Sequence, residues 1–452
     1  MSLTSPAPPG GGPLRLRDFR LLLAGAAAGQ AGAQIALVAL PLVAVLVLDA
    51  SAFQVGLLTA AETAAFLLIG LPAGAWTDRA RKLPLMIRAD AVRALAMASV
   101  PVAGAAGVLT MAQLYVVALV TGTATVFFDV AHQSFLPHLL RTEHLVAGNG
   151  ALETVRSSAQ VAGPGVGGGL VQLLGAQLAI VADAIGYALS ALFLLGIRVT
   201  EERPEPVPGA SLRKDVAEGL RFVAGHPLLR VIAAATGLAN FFAAMLMATQ
   251  TVFLVRVLGL RPAALGLVLS AAAVGGLAGA LCAGALGRRF GQARVIRLSA
   301  LVSAPFGLLW PLSYGGAGAV LFAVGSGAVF FGAVVYNVAQ VSLRQALCPP
   351  RLLGRMNATL RFVMWGTLPL GALAGGALAD ALGSRAALVC CAAGLLLFPL
   401  PLLLSPLRRL RDLPATATAV TAVTAATEDP GRAGGTPGTP GTSGAPVGTE
   451  AP

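Results

Sequence analysis

Residues 149–170 read NGALETVRSSAQVAGPGVGGGL. Glycine stands at positions 150, 163, 165, 167, 168 and 169, with Pro164 among them. In a water-exposed helix each of these glycines would cost about 1 kcal/mol against Ala. Lipid changes the balance, because no hydrophobic force drives helices together there and small residues let backbones approach closely. Pro164 removes a backbone donor and is expected to kink the helix. The stretch therefore reads as a kinked, glycine-faced membrane helix, suited to a protein whose two halves slide or rock on each other. Static close packing would use the same residues, so the rest of the chain has to decide.

Composition places the whole chain in a membrane. Of 452 residues, 56% are hydrophobic and 11% are charged, against about 25% charged in soluble domains. Mean hydropathy is +0.81. Leu21–Leu48 contains no charged residue and exceeds the roughly 20 residues that cross a bilayer. Met1–Pro13 is Pro/Gly-rich, and the apolar run after it is too long for a cleavable signal peptide. The net charge of +12 is read as basic cytoplasmic loops and not as nucleic-acid binding. Cys282, Cys390 and Cys391 fall in apolar runs and Cys348 at a helix end, without metal-ligand spacing. His132, His138 and His144 recur every six residues, on different faces of a helix. No metal or cofactor is expected, and no nucleophile–base set points to an enzyme. Without a G-x-x-x-x-G-K-[ST] phosphate loop, the energy source is expected to be an ion gradient.

Apolar segments punctuated by Gly, Pro and charge predict twelve crossings, at 20–48, 52–76, 84–108, 112–136, 147–171, 178–197, 227–254, 264–286, 295–312, 318–345, 357–379 and 385–405. The even-numbered gaps collect Arg79, Arg81 and Lys82, then Arg141, the Arg198–Arg221 group, Arg288 with Arg289 and Arg294, and Arg351 with Arg355. The alternation places both termini on the cytoplasmic side of the plasma membrane. The expected organisation is a short tail (1–19), a first six-helix half (20–197), a cytoplasmic linker (198–226), a second half (227–411) and a tail (412–452). The last is rich in Gly, Thr and Pro and cannot bury a core. Within the linker, SLRKDVAEGLRFV reads as a short amphipathic helix on the inner surface.

The halves repeat each other. Asp129-Val-Ala-x-x-Ser aligns with Asn337-Val-Ala-x-x-Ser at an offset of 208 (337 − 129). The same offset brings Asn149 onto Asn357, Gly163 onto Gly371, Gly167-Gly168 onto Gly375-Gly376, and Gly175 onto Gly383. Gly56 aligns with Gly266 and Gly74 with Gly284, two residues further on. Copies in the same orientation are related by an axis along the membrane normal, which places a substrate path between them.

At Gly74-Ala-Trp-Thr-Asp78-Arg79-Ala-Arg81-Lys82 the chain resembles the major facilitator superfamily. It matches that family's G-x-x-x-D-R-x-G-R-K loop with the second glycine deleted, and Gly284–Gly291 is the copy without the acid. The resemblance implies that Asp78 caps a helix of the other half while the arginines pair with Asp129, a latch that favours one state of the transporter over another. The opening stretch is similar to the antiporter signature G-x8-G-x3-G-P-x2-G-G of drug exporters. Gly150, Gly163, Pro164, Gly167 and Gly168 match it, and Ala159 replaces the second glycine. Ala118 stands where many drug–proton antiporters carry an arginine, four residues before Gly122. The run as a whole looks more like the macrolide and siderophore (enterobactin-like) exporter branch. The resemblance covers about residues 14–410. It implies an all-α integral membrane protein of twelve helices in two pseudo-symmetric halves. Its expected activity is proton-driven export of a hydrophobic or amphipathic small molecule, by a chain for which a monomer suffices. Nutrient uptake with protons is the alternative on the same fold.

Ionisable groups inside lipid usually face a cavity or a partner. Glu62 lies mid-helix without a basic neighbour and is the first expected proton site, followed by Asp183 and then Asp90. Glu153 with Arg156, and Asp90 with Arg93, are spaced to pair along a helix. The expected cavity wall comprises Gln30 and Gln34, then Asn240, Phe241, Phe242 and Gln250. Tyr336, Asn337 and Gln340 join it, with Met364 and Trp365. Such aromatic and Met side chains suit a large apolar substrate recognised loosely.

Overall fold

A backbone without water to bond must satisfy its polar groups internally, and long apolar runs do so as helices. The computed structural model of the chain describes residues 13–199, 201, 212–315, 317–348 and 352–410, and these contain no strand. In order the helices are α1 (Arg17–Leu46), α2 (Ala52–Asp78), α3 (Lys82–Ala105), α4 (Met111–Leu139), α5 (Thr142–Leu174) and α6 (Ala176–Leu195). After the linker come α7 (Leu212–Gly225), α8 (Pro227–Val252), α9 (Pro262–Phe290), α10 (Gln292–Ser303) and α11 (Gly318–Leu347). The chain continues as α12 (Leu353–Trp365), α13 (Thr367–Leu382), α14 (Ser384–Leu395) and α15 (Leu400–Leu403).

Each expected crossing falls on one of these helices or on a consecutive pair. Among the described residues nine segments are long and apolar enough to span a bilayer. The expected crossings on α3, α5 and α10 are not among them. Lys82, Arg88, Asp90 and Arg93 lower the hydropathy of α3, and in α5 the uncharged stretch after Arg156 is diluted by Gln160, Gln172, Pro164 and its glycines. α10 has 12 residues and passes into a 3-10 turn, Ala304–Leu309, where Pro305 removes a donor. The seventh expected crossing extends past α8 through a π-helical turn, Phe253–Val257. The eleventh breaks at Gly366, between α12 and α13. α5 continues through Pro164 and begins five residues before its expected start. The termini, the middle of the linker and the tail after Leu410 lie outside the described residues.

The helices pack as two groups. In the first, α1 lies on α5 and α6, α2 on α4, and α3 on both α4 and α6. In the second, α9 lies on α11, α8 on α13 and α14, and α10 on α11. The groups are joined mainly by α5 on α9 and α2 on α13, with α2 also touching α8 and α12. The expected repeat is visible in the backbone. Gly175 (φ 88, ψ 156) separates α5 from α6, and Gly383 (φ 86, ψ 151) separates α13 from α14. A positive φ of this size is left to glycine, which has no Cβ to clash.

α7 does more than lie on a surface. A Cβ on its Gly219 would meet Arg355 O at 2.8 Å and Thr359 Oγ1 at 2.3 Å, and Glu218 pairs with Arg355. The linker helix is therefore clamped to α12.

Candidate functional site

The glycine face of α5 is used twice. On one side a Cβ at Gly163 would lie 2.3 Å from Gln34 Cβ, and one at Gly167 would lie 3.1 Å from Ile35 Cα, which sets α5 hard against α1. On the other side the helix meets the second half. A Cβ at Gly168 would stand 2.3 Å from Pro262 O, and one at Gly266 would stand 2.3 Å from Pro164 O. The Gly165 amide donates to Ser270 Oγ at 2.8 Å across the same seam. A Cβ built on Gly150 would meet nothing within 4 Å, and Ala159 is half-buried on the same helix. The glycine–proline motif thus divides. Its second part forms the seam, while Gly150 stands exposed near the N-terminal end of α5.

Among the described residues, three further polar bridges between the halves sit at one end, away from the Arg79–Lys82 loop. Arg256 pairs with Asp49 at 2.6 Å, Ser51 Oγ donates to Asp380 Oδ2 at 2.7 Å, and the Ala263 amide donates to Gln172 Oε1 at 3.2 Å. At the loop end, the side chains of Gly74 and Asp78 lie outside the described residues, so the expected cap by Asp78 is not described. Arg79 and Arg81 are exposed and Lys82 is buried. Among the described residues no ion pair joins Asp129 to Arg79 or Arg81, and the cations that act on Asp129 are Arg93, Arg361 and Arg156.

A cavity of about 150 Å3 lies between α1, α2, α3, α4 and α6, closed by Met247 and Gln250 of α8. Glu62 and Asp183 both line it. Close helix crossings put them there. A Cβ at Gly122 of α4 would come 2.2 Å from Glu62 O, and one at Gly32 of α1 would come 2.8 Å from Asp183 Cα. Asp183 is 0% exposed, and neither of its carboxylate oxygens has a hydrogen-bond partner. Thr59, Thr63, Thr121, Thr125 and Tyr187 supply hydroxyls, while Phe66, Met97 and Met247 are apolar. The volume is below the roughly 300–1,000 Å3 of a drug-sized site. In this state the cavity suits protons and small polar species around two carboxylates, and a bulky substrate needs it to open.

Of the residues expected on the cavity wall, only Gln250 reaches this one. The others are engaged elsewhere. Asn240 Nδ2 donates to Met364 O at 2.8 Å, Tyr336 Oη shares a hydrogen bond with Thr236 Oγ1 at 2.8 Å, and Gln340 Nε2 donates to Asn337 Oδ1 at 2.8 Å. Phe241 lies edge-on to Phe242, and Trp365 packs tilted against Phe66, one ring behind the cavity. Gln34 is spent on the α1–α5 crossing, and Gln30 on the same helix does not line the cavity. Asp90 stands behind the wall, bonded to Arg93, and Glu153 holds Arg156 by two bonds of 2.8 and 2.9 Å. The sequence carried an unread signal for the missed residues. Thr59 and Phe66 lie three before and four after Glu62, and Tyr187 lies four after Asp183, each on the acid's own helix face.

The fold and site define a membrane transporter, and the comparisons name its class. The family described as transmembrane secretion effector, of the major facilitator superfamily, matches residues 10–426. The chain belongs to that family and is a multi-pass membrane transporter, not an enzyme. It is 28% identical over 423 residues to the multidrug efflux pump Tap of Mycolicibacterium fortuitum, covering 89% of this chain and 97% of that protein. It is 27% identical over 394 residues to the multidrug efflux pump Tap of Mycobacterium tuberculosis (strain ATCC 25618 / H37Rv), covering 83% and 89%. Among solved structures, a bacterial homologue of the iron transporter ferroportin in an inward-facing state aligns with TM-score 0.70 at 16% identity, over 86% of this chain and 98% of that one. The nucleoside transporter NupG aligns with TM-score 0.70 at 12% identity, over 86% and 99%.

Proposed function

We propose that this protein exports hydrophobic or amphipathic small molecules, of drug, antibiotic or siderophore-like chemistry, in exchange for inward protons. The observation that carries the reading is the cavity that Glu62 and Asp183 share inside the first half, closed by α8 of the second, in which neither oxygen of Asp183 has a partner. A buried carboxylate without a partner is costly as an ion, so gaining or losing a proton there changes which packing is favoured. The relatives named multidrug efflux pumps supply the direction of transport. The halves rock about the glycine seams, with both termini on the cytoplasmic side of the plasma membrane and the seams at its outer end. In that orientation this state is closed to the outside. Twelve crossings, a monomer, no bound cofactor and no nucleic-acid partner complete the proposal, in which the lipid bilayer is the solvent.

The test is efflux from energised cells loaded with macrolide-like and siderophore-like compounds, with and without a protonophore. Efflux that the protonophore stops and Glu62→Gln abolishes supports the antiporter and its first proton site. Efflux that survives Glu62→Gln but not Asp183→Asn moves the site to Asp183. Energised accumulation would mean uptake with protons and would overturn the direction.

A further inference from the structure

Asp183 is lodged in the cavity with no hydrogen bond to either oxygen, and the cation nearest in role lies one layer behind the wall. Arg93 on α3 is 5% exposed. Its guanidinium bonds Asp90 and reaches Thr125 Oγ1 at 3.4 Å, while Nε has no partner. The guanidinium carbon lies 4.4 Å from the Phe128 ring centre and 4.3 Å from that of Tyr187. Tyr187 follows Asp183 by one helical turn, so the clamp stands beside the cavity acid.

Resting on the proton-antiport reading above, we propose that Arg93 is the shared counterion that passes the protonation state of Asp183 to Asp129 and, through it, to Arg361 of the second half. One buried guanidinium bonds Asp90 of α3, reaches Thr125 of α4 one turn before Asp129, and lies over Tyr187 of α6 one turn after Asp183, so three carboxylates on three helices surround it. It neutralises one charge, and a further buried carboxylate left without a cation is strongly disfavoured. The other charged groups facing this set are Glu62 of α2, within reach of Asp183, and Arg156 of α5 and Arg361 of α12, within reach of Asp129. His132 stacks on Phe128 with 5.8 Å between ring centres. Arg156 is already held by Glu153. When Asp183 gives up its proton it competes for Arg93, and Asp129 must then rely on Arg361. That draws α12 toward α4. When Asp183 is protonated, Arg93 returns to Asp90 and Asp129, and the hold on α12 loosens. The two flanking rings let the guanidinium shift between acids while it keeps its cation–π contacts. Arg93 is a positioning residue in this scheme, not a proton carrier.

The full chain, with its four cysteines replaced by Ser, is spin-labelled at Val146→Cys and Gly354→Cys, both exposed sites, one in each half. The inter-label distance is followed through an acid-to-alkaline series. The expected result is a distance that shortens as pH rises. Arg93→Gln leaves Asp129 to Arg361 at every pH, so the distance stays short and no longer follows pH, and Arg93→Lys restores the response. Asp129→Asn and Arg361→Gln each abolish the response, which keeps the test open should Arg93→Gln fail to fold. A distance that still follows pH in Arg93→Gln, or a parent distance indifferent to pH, overturns the relay. Protonophore-sensitive efflux of ethidium is measured in parallel. Efflux intact beside an unchanged pH response in Arg93→Gln removes the relay alone, and a titrating relay without proton-driven efflux removes the transport reading alone.

Discussion

Gly168 on α5 and Gly266 on α9 approach so closely that a Cβ built on either would lie 3.0 Å from the other's Cα. The repeat-related pair, Gly376 on α13 and Gly56 on α2, does the same at 3.1 and 2.9 Å. Two crossings, equivalent by the internal repeat, therefore hold the halves together at one end of the molecule. Each works because neither helix carries a side chain at the contact.

Gly168→Val and Gly56→Val are each expected to push the halves apart at that end. Efflux of a fluorescent probe should fall by about tenfold or more, a barrier change of ~1.4 kcal/mol or above. Membrane content of the protein, read by blotting, should stay near that of the parent. Normal efflux from both variants would show that the seams need not close during transport.

Gly163→Leu addresses packing inside one half. The added side chain meets Gln34 Cβ, and overpacking of this kind costs roughly 1–3 kcal/mol. A lowered melting temperature in detergent is expected, with partial recovery in Gly163→Leu/Gln34→Ala because the obstructing side chain is then removed.

The Asp49–Arg256 pair is solvent-exposed, with side-chain exposures of 97% and 37%. Its effect on stability should be small, about 0–1 kcal/mol, and weaker in salt. Its effect on the balance of states should be easier to see. Arg256→Asp is expected to raise the accessibility of a cysteine at the outer seam, and the exchange Asp49→Arg/Arg256→Asp to restore it.

His226 joins α7 to α8 outside the membrane segments, with Nδ1 buried and unpartnered. Burial holds its imidazole below the ordinary value. The unfolded form binds the proton first, so the junction is stable at neutral pH and weakens as pH falls through about 6.5, the unperturbed value. Hydrogen exchange in residues 217–225 should therefore rise on acidification. The rise should vanish in His226→Phe, which has nothing to protonate.

Much of this was legible in the chain. The glycine–proline face of 149–170, the offset of 208 and the charge alternation pointed to two repeated helical halves, because local composition governs which segments enter lipid and how closely they pack. Glu62 and Asp183 stood out because a carboxylate in an apolar run needs a reason. The cavity wall was less legible. Asn240, Tyr336 and Gln340 have the polarity of lining residues, yet each bonds within its own half. A sequence shows that a group needs a partner but not whether a neighbouring helix provides one.

The sequence by itself determined that the chain is an all-helical membrane protein of repeated halves, since hydropathy, glycine spacing and charge act through short stretches. Tertiary structure alone decided that Gly168 meets Gly266, that Glu62 and Asp183 share one cavity, and that Arg93 lies among Asp90, Asp129 and Asp183. Those relationships join residues from helices far apart in the chain, and the crossing of close-packed helices, not the order of residues, sets which side chains meet.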